Sequence, residues 1–105
     1  MAEAGTHDTD RVIDEIGAER KRQGWDEGWT PEHDDKHDRG EMARAAAAYA
    51  YPTPRLGDEC WPWDFKWFKR TTRRRDLVKA GALIVAEIER LDRATVARMA
   101  EKLNT

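Results

Sequence analysis

The sequence lacks the features that would place a small protein outside the cell or in a membrane. Cys60 is the only cysteine, so an intrachain disulfide is impossible and secretion gains no support from sulfur. The first ten residues, MAEAGTHDTD, are polar and contain no apolar run that could form a signal peptide or a membrane span. We therefore expect a cytoplasmic protein that does not enter a membrane.

The sequence also lacks a strong excess of either charge. Its formal net charge of −2 argues against a dedicated duplex-binding protein, so nucleic acid is not the expected partner. The charges are unevenly spread, however: residues 1–45 hold 13 acids and 7 bases, whereas residues 46–105 hold 8 acids and 12 bases. The two halves can attract each other within the domain or between subunits, and an anionic ligand would bind in the second half.

No internal repeat or low-complexity tract divides the chain. At 105 residues it has room for one domain, which would bury only a modest share of its surface. We therefore expect a disordered N-terminal tail over residues 1–8, a single helical domain over residues 9–105, and a partner subunit in a homo-oligomer, a dimer or larger.

Local signals predict an all-α fold of three to four helices. The first helix should begin near Thr9 and end around residues 23–24, where Gly24 is a common terminator. Thr30 followed by Pro31 is typical of a helix start, and this second helix should continue to about residue 49 or 50.

A long loop should separate the second helix from the last. Residues 51–71 contain four helix-breaking residues, which are Pro52, Pro54, Gly57 and Pro62. The last helix should open near Thr72. Its apolar side chains recur at helical spacing on one face, as Leu77, Ile84, Ile88 and Leu91, and residues 96–103 can extend it.

The stretch CWPWDFKWFKRTTRRRD, residues 60–76, concentrates aromatic and basic side chains in that loop and the following helix. Three tryptophans, Trp61, Trp63 and Trp67, accompany six cations that we call the basic run: Lys66, Lys69, Arg70, Arg73, Arg74 and Arg75. Arginine makes bidentate contacts to phosphate, and tryptophan offers a stacking face to a base. Since six neighbouring cations repel one another unless an anion offsets them, this composition favours a nucleotide pocket.

Simpler interpretations stay open for the same residues. The basic run can be ordinary surface, and the tryptophans can pack a core, as we expect for Trp25 and Trp29. Asp76 can accept hydrogen bonds from a ribose hydroxyl or a base edge, or it can cap its own helix and pair with a neighbouring cation.

A metal site is the alternative on the second helix. His33, His37 and Glu41 lie at i, i+4 and i+8, and acidic helices of this kind resemble those of the all-α, Mg²⁺-dependent nucleotide pyrophosphohydrolases (MazG-like). The carboxylates available to such an enzyme are Glu15, Glu19, Glu32, Asp35, Glu41 and Asp76. The sequence departs from the paired motifs of that family, and a solvated acidic helix start explains the pattern more simply.

Three segments together resemble a family of small phage proteins: GWTPEHDDKHDRGEMARAAAAYA, WPWDFKWFK and RRRDLVKAGALIVAEIERLDR. The family is the first described type of Thoeris anti-defence sponge. The resemblance covers roughly residues 19–93. It implies a non-enzymatic oligomer without a cofactor, which binds cyclic ADP-ribose signals in an infected bacterium and leaves them intact.

The resemblance carries over the Arg75–Asp76 pair, the aromatic segment before it, and the first helix as a pocket wall that includes Arg20. The full set of predicted ligand-binding residues is Trp61, Trp63, Trp67, Lys69, Arg73, Arg74, Arg75, Asp76 and Arg20. Single-stranded nucleic-acid binding by the same aromatic and basic loop is the third hypothesis, after the sponge and the pyrophosphohydrolase.

Overall fold

A computed structural model describes residues 2–51 and 58–104, with side chains described from residue 7 onward. Helix α1 spans Ala2–Asp26, α2 spans Pro31–Asp34, and α3 spans Glu41–Ala50. A 3₁₀ turn at Phe65–Trp67 precedes the long helix α4, Arg73–Asn104. These ranges contain no strand, so the predicted all-α class is confirmed.

Helix α1 begins at Ala2, which corrects the predicted start near Thr9 and places residues 2–8 in the helix instead of a tail. It ends at a glycine turn. The carbonyl of Gln23 accepts hydrogen bonds from the backbone N–H groups of Glu27 and Trp29 at 3.2 and 3.0 Å. Gly28 has φ of 74°, which a residue with a side chain rarely adopts, so the chain can reverse into α2 at this point.

The predicted second helix is interrupted. The side chain of Thr30 accepts a hydrogen bond from the backbone N–H of His33 and caps α2, as expected, but the helix ends at Asp34. Gly40 takes a left-handed conformation, with φ of 81°, immediately before α3. Two long-range ion pairs stabilise the interruption between α2 and α3: Asp34 pairs with Arg20, and Asp35 pairs with Arg93.

The core lies between α3 and α4 and consists mainly of small residues. Ala45, Ala46 and Ala48 of α3 are buried against the α4 face that carries Ala80 and Leu83. Alanine lets the two helix axes approach closely, and the larger rings of Tyr49 and Trp61 close one end of the cluster.

Helix α1 packs on another part of α4. An added Cβ at Gly81 would lie 3.0 Å from Ile16 Cδ1, so the glycine makes room for the isoleucine. The apolar stripe of α4 is not part of this packing, because Leu77, Ile84, Ile88 and Leu91 are between 42% and 53% exposed. The buried face of α4 instead uses the neighbouring small positions.

The predicted long loop is present in part. Residues 52–57, with the predicted breakers Pro52, Pro54 and Gly57, lie outside the described residues, as does residue 1 of the predicted tail. The last helix follows Thr72, whose hydroxyl accepts a hydrogen bond from the backbone N–H of Arg75 at 3.1 Å. Residues 96–103 continue α4 without a break.

Candidate functional site: an aromatic cleft beside a charged seam

The basic run is matched to partners within the chain. Arg74 forms two hydrogen bonds of 2.8 Å with the carboxylate of Glu15, and Arg75 contacts Glu19 Oε1. Both acids lie on α1 and both arginines lie in the first turn of α4. We call this double ion pair the charged seam, and it joins the acidic half of the sequence to the basic half.

The other four cations of the basic run also have internal partners. Arg73 donates to the carbonyl of Ala50, and Arg70 donates to that of Ala48 and lies 4.9 Å from the centre of the Phe68 ring. Both carbonyls lie at the C-terminal end of α3, where the helix dipole favours positive charge. The amino groups of Lys66 and Lys69 lie over the Trp67 ring at 5.5 and 5.8 Å from its centre. A phosphate-binding role for this run stays a prediction that would require its cations to leave or share these partners.

Glu19 is the buried centre of the charged seam. Its side chain is fully enclosed and accepts two hydrogen bonds of 2.8 Å from Arg22 in addition to the contact with Arg75. Burial acts to raise the pKa of Glu19, but the hydrogen bonds and charges of Arg22 and Arg75 outweigh it and lower the pKa below its ordinary value. Glu19 is thereby held as a charged structural group.

Asp76 is buried at the start of α4. Its Oδ1 atom accepts hydrogen bonds from the backbone N–H and the hydroxyl of Thr71, at 2.9 and 3.3 Å, and lies 4.0 Å from Lys79 Nζ. The structure therefore gives Asp76 the ion-pairing contact of the simpler interpretation, while the side chain that caps α4 is that of Thr72.

Arg20 fixes the turn between α1 and α2. Its guanidinium donates to the Trp29 carbonyl at 2.9 Å and to carboxylates of Asp34 and Glu89 at 2.6 and 3.0 Å. Asp34 is almost completely buried, so this pair is shielded from solvent. Arg20 thus fixes the position of the Trp29 backbone.

A cavity of about 330 Å³ opens where the α1–α2 turn meets the aromatic segment. We call it the aromatic cleft. The described residues that line it are Glu27, Trp29, His33, His37, Trp63, Asp64 and Trp67. Three indoles, two imidazoles and two carboxylates therefore face one space of the size that small-molecule sites occupy.

Four rings form a continuous series along one side of the cleft. Trp29 and His33 lie nearly parallel with centres 6.4 Å apart, His33 meets His37 at 4.8 Å, and His37 meets Trp63 at 5.0 Å. Trp29 also contacts Trp63 at 5.8 Å, which closes the series. Each ring limits the movement of its neighbours, so the wall is preformed.

Each histidine is held by a carboxylate. His33 Nδ1 lies 3.2 Å from Asp34 Oδ1, and His37 Nδ1 lies 3.3 Å from Glu41 Oε2. Because α2 ends at Asp34, His33, His37 and Glu41 do not form the single helical stripe that the sequence predicted. Among the described residues, no three His, Cys, Asp or Glu side chains are grouped so that they could hold a metal ion.

The tryptophans separate into different environments. Trp61 is a core residue, stacked on Phe68 with ring centres 4.7 Å apart and covered by Tyr49, which corrects its prediction as a ligand-stacking group. Trp63 and Trp67 line the cleft, and ligand binding by them stays a prediction, whereas Trp25 is 88% exposed and does not pack the turn.

Trp29 is the main cleft residue that sequence reasoning missed, since we expected it to serve packing alone. A usable signal was present in the sequence: Trp29, His33 and His37 recur at intervals of four residues. The same spacing in the two histidines and Glu41 predicted metal ligands and left Trp29 out. Combined with the later aromatic segment, it would have indicated the cleft.

The carboxylates of the pyrophosphohydrolase hypothesis do not come together in the described structure. Glu15 and Glu19 are paired with arginines, Asp35 pairs with Arg93, and Asp76 accepts a hydrogen bond from the backbone N–H of Thr71. Glu41 contacts His37 and accepts a hydrogen bond from the backbone N–H of Arg39.

In comparisons with known proteins, no protein-family model matches this sequence, and no curated protein or solved structure matches it either. None of the helices in residues 2–51 and 58–104 combines the length and apolar content that a membrane crossing needs. The function therefore has to be inferred from the chain's own side chains.

Proposed function

We propose that this protein binds a nucleotide-type ligand in the aromatic cleft and sequesters it without cleaving it. The observation that carries the proposal is the convergence of Trp29, Trp63 and Trp67 on one preformed cavity. Stacking of a base on an aromatic side chain contributes about 1–3 kcal/mol per base. A cavity of about 330 Å³ is large enough for a base and part of its sugar.

The position of the cations supports an orientation for the ligand. The amino groups of Lys66 and Lys69 lie over Trp67, at the side of the cleft, while the described lining itself contains no Lys or Arg. We infer that the base enters between the indoles and that phosphates stay outside, near these two lysines. Phosphates placed deep in the cleft would face Glu27 and Asp64 instead.

The ligand class in this proposal comes from the resemblance to phage anti-defence sponges. It indicates a cyclic ADP-ribose signal, bound in the cytoplasm of an infected bacterium. A sponge requires affinity without turnover, and the cleft supplies stacking faces and fixed acceptors. Cys60, the one thiol, packs against the hydrophobic core, which supports a structural role for it.

Isothermal titration calorimetry with cyclic ADP-ribose isomers and cyclic oligonucleotides tests the proposal. We expect saturable binding of at least one cyclic nucleotide, and recovery of the intact ligand after heat denaturation of the complex. Release of pyrophosphate from a nucleoside triphosphate, abolished by chelation, would favour the pyrophosphohydrolase instead. Affinity that grows with strand length and falls steeply with salt would favour single-stranded nucleic acid. Absence of binding to every cyclic nucleotide would defeat the sponge.

Self-association is part of the same proposal, and the exposed stripe of α4 supports it. Leu77, Ile84, Ile88 and Leu91 are about half exposed on one face of a 32-residue helix. Sustained apolar positions at such spacing are typical of a helix that pairs with another helix, and we infer that the partner is a second copy of this chain.

Sedimentation velocity of Ile88→Glu tests this interface, with Ala97→Glu as the matched control. Ala97 is exposed and lies nine residues further along α4, half a turn away from the stripe. We expect the wild type and the control to sediment as an oligomer and Ile88→Glu as a monomer. A wild-type monomer at all concentrations would contradict the proposed self-association.

A further inference from the structure

The polar groups of the aromatic cleft are unlike those of an anion site. Among the described residues, the two lining side chains of fixed charge are the carboxylates of Glu27 and Asp64, which accept hydrogen bonds and repel phosphate. The ligand portion that enters must therefore present N–H or O–H donors between the indoles. This observation bears on which edge of a base the cleft selects.

Glu27 is the better placed of the two carboxylates to read a base. Its side chain is largely buried beyond the end of α1, and its backbone N–H is tied to the Gln23 carbonyl. The contact between Arg22 Nη2 and Glu27 Oε1 is long, at 3.4 Å, because the same guanidinium makes two shorter hydrogen bonds of 2.8 Å to Glu19. The Glu27 carboxylate is thus held in position while it keeps capacity to accept.

Asp64 is already occupied by the local backbone. Its Oδ1 atom accepts a hydrogen bond of 2.9 Å from the backbone N–H of Lys66 and caps the 3₁₀ turn. Its carbonyl accepts a bond of 3.0 Å from Trp61 Nε1, and its side chain is exposed. Asp64 therefore shapes the cleft wall.

We propose that Glu27 is a specificity-determining residue that accepts a hydrogen bond from the exocyclic amino group of an adenine stacked in the cleft. The inference rests on the proposed function, since it assumes that the cleft holds a purine. A 6-amino purine offers N–H donors where a 6-oxo purine offers a carbonyl oxygen. With the 6-oxo base in the same position, two acceptors would face each other in a partly buried site, which disfavours binding.

Matched ligand pairs test this selectivity. Adenosine and inosine differ at the purine 6 position, and cyclic ADP-ribose and its inosine counterpart differ in the same amino and oxo groups. Affinities are measured by calorimetry and by quenching of tryptophan fluorescence. In each pair that binds, we expect the 6-amino ligand to bind at least about tenfold more tightly than the 6-oxo ligand. This difference corresponds to the loss of one base-edge contact.

Glu27→Gln separates recognition from packing. The introduced amide keeps the shape of the side chain but can both accept and donate, so it satisfies either base. We expect the amino ligand to bind more weakly than it binds the wild type and the oxo ligand to bind more tightly. The ratio of their two affinities should therefore approach one. Asp26→Asn is the matched control, because Asp26 also lies near Arg22, at 3.7 Å, but is not in the described lining of the cleft; it should keep the wild-type ratio. Thermal melts of both variants exclude loss of fold as the cause.

The role of Glu27 would be overturned by equal affinities within a pair for the wild type, or by an unchanged affinity ratio in Glu27→Gln. Either result would leave the proposed sequestration of a nucleotide standing. A wild-type protein that binds neither pair nor any other cyclic nucleotide would overturn both the role of Glu27 and the proposed function.

Discussion

The charged seam and the aromatic cleft lie in the same small domain but differ in what their functional groups contact. The groups of the seam pair with one another, whereas those of the cleft face a cavity. In the seam, Arg74 and Arg75 form ion pairs with carboxylates of α1, so the charges are matched inside the chain. In the cleft, indole faces and carboxylate oxygens surround an open space of about 330 Å³. The segment richest in cations is therefore the more self-contained region, and the region available to a ligand is aromatic and acidic.

Loss of Arg75 is expected to have the largest effect on stability. Arg75→Ala leaves the enclosed carboxylate of Glu19 with Arg22 as its remaining cation. A hydrogen bond to a charged group contributes about 1.5–3 kcal/mol, and partial exposure of Arg75 favours the lower end of this range. Urea unfolding measures the loss, and ligand affinity should be unchanged.

The double variant Arg75→Ala with Glu19→Gln sharpens this test. Removing the buried charge as well should recover part of the lost stability, because the enclosed group no longer needs two cations. A stable Arg75→Ala protein with lost ligand affinity would reverse the comparison and make the charged seam the binding site.

Acid should weaken the charged seam through Glu19. The folded state lowers the pKa of Glu19 below its ordinary value of 4.5, so its stabilising contribution is present above that pH and is lost as pH falls through the lowered pKa. We expect the free energy of unfolding to decline below about pH 4.5 in urea titrations. The Glu19→Gln protein should have a lower free energy of unfolding at neutral pH, and this free energy should fall less steeply in acid. Identical slopes for the two proteins would contradict this account.

Arg74→Ala should have the smallest effect. The Glu15–Arg74 pair is bidentate, but the arginine side chain is 58% exposed, and solvent screens such pairs. We expect a melting temperature within error of the wild type and unchanged ligand affinity. A large fall in melting temperature would show that both pairs of the seam are structural, not Glu19–Arg75 alone.

Local chemistry predicted several parts of the fold correctly. The Thr30–Pro31 start of α2 and the Thr72 start of α4 follow from capping, which acts over a few residues. The interruption after Asp34 could not be predicted in the same way, because it depends on Arg20 and Arg93, which are distant in sequence. Helix propensity and periodicity do not contain such contacts.

The candidate site was predicted only in part, for the same physical reason. Trp63 and Trp67 were identified from their composition, but Trp29 joins them only once the α1–α2 turn is folded. The partner of Arg74 is 59 residues away, so a run of cations that looks unpaired in sequence is paired in space. Likewise, the exposure of the α4 stripe depends on which face α3 and α1 cover.

Calorimetric titration of one cyclic nucleotide into three alanine variants tests the central claim most directly. Trp67 is 45% exposed at the cleft, Trp25 is 88% exposed outside it, and Arg74 lies in the charged seam. The account predicts that Trp67→Ala weakens binding about tenfold or more, as expected for one lost stacking face, while Trp25→Ala and Arg74→Ala bind like the wild type. Retained affinity in Trp67→Ala together with lost affinity in Arg74→Ala would contradict it.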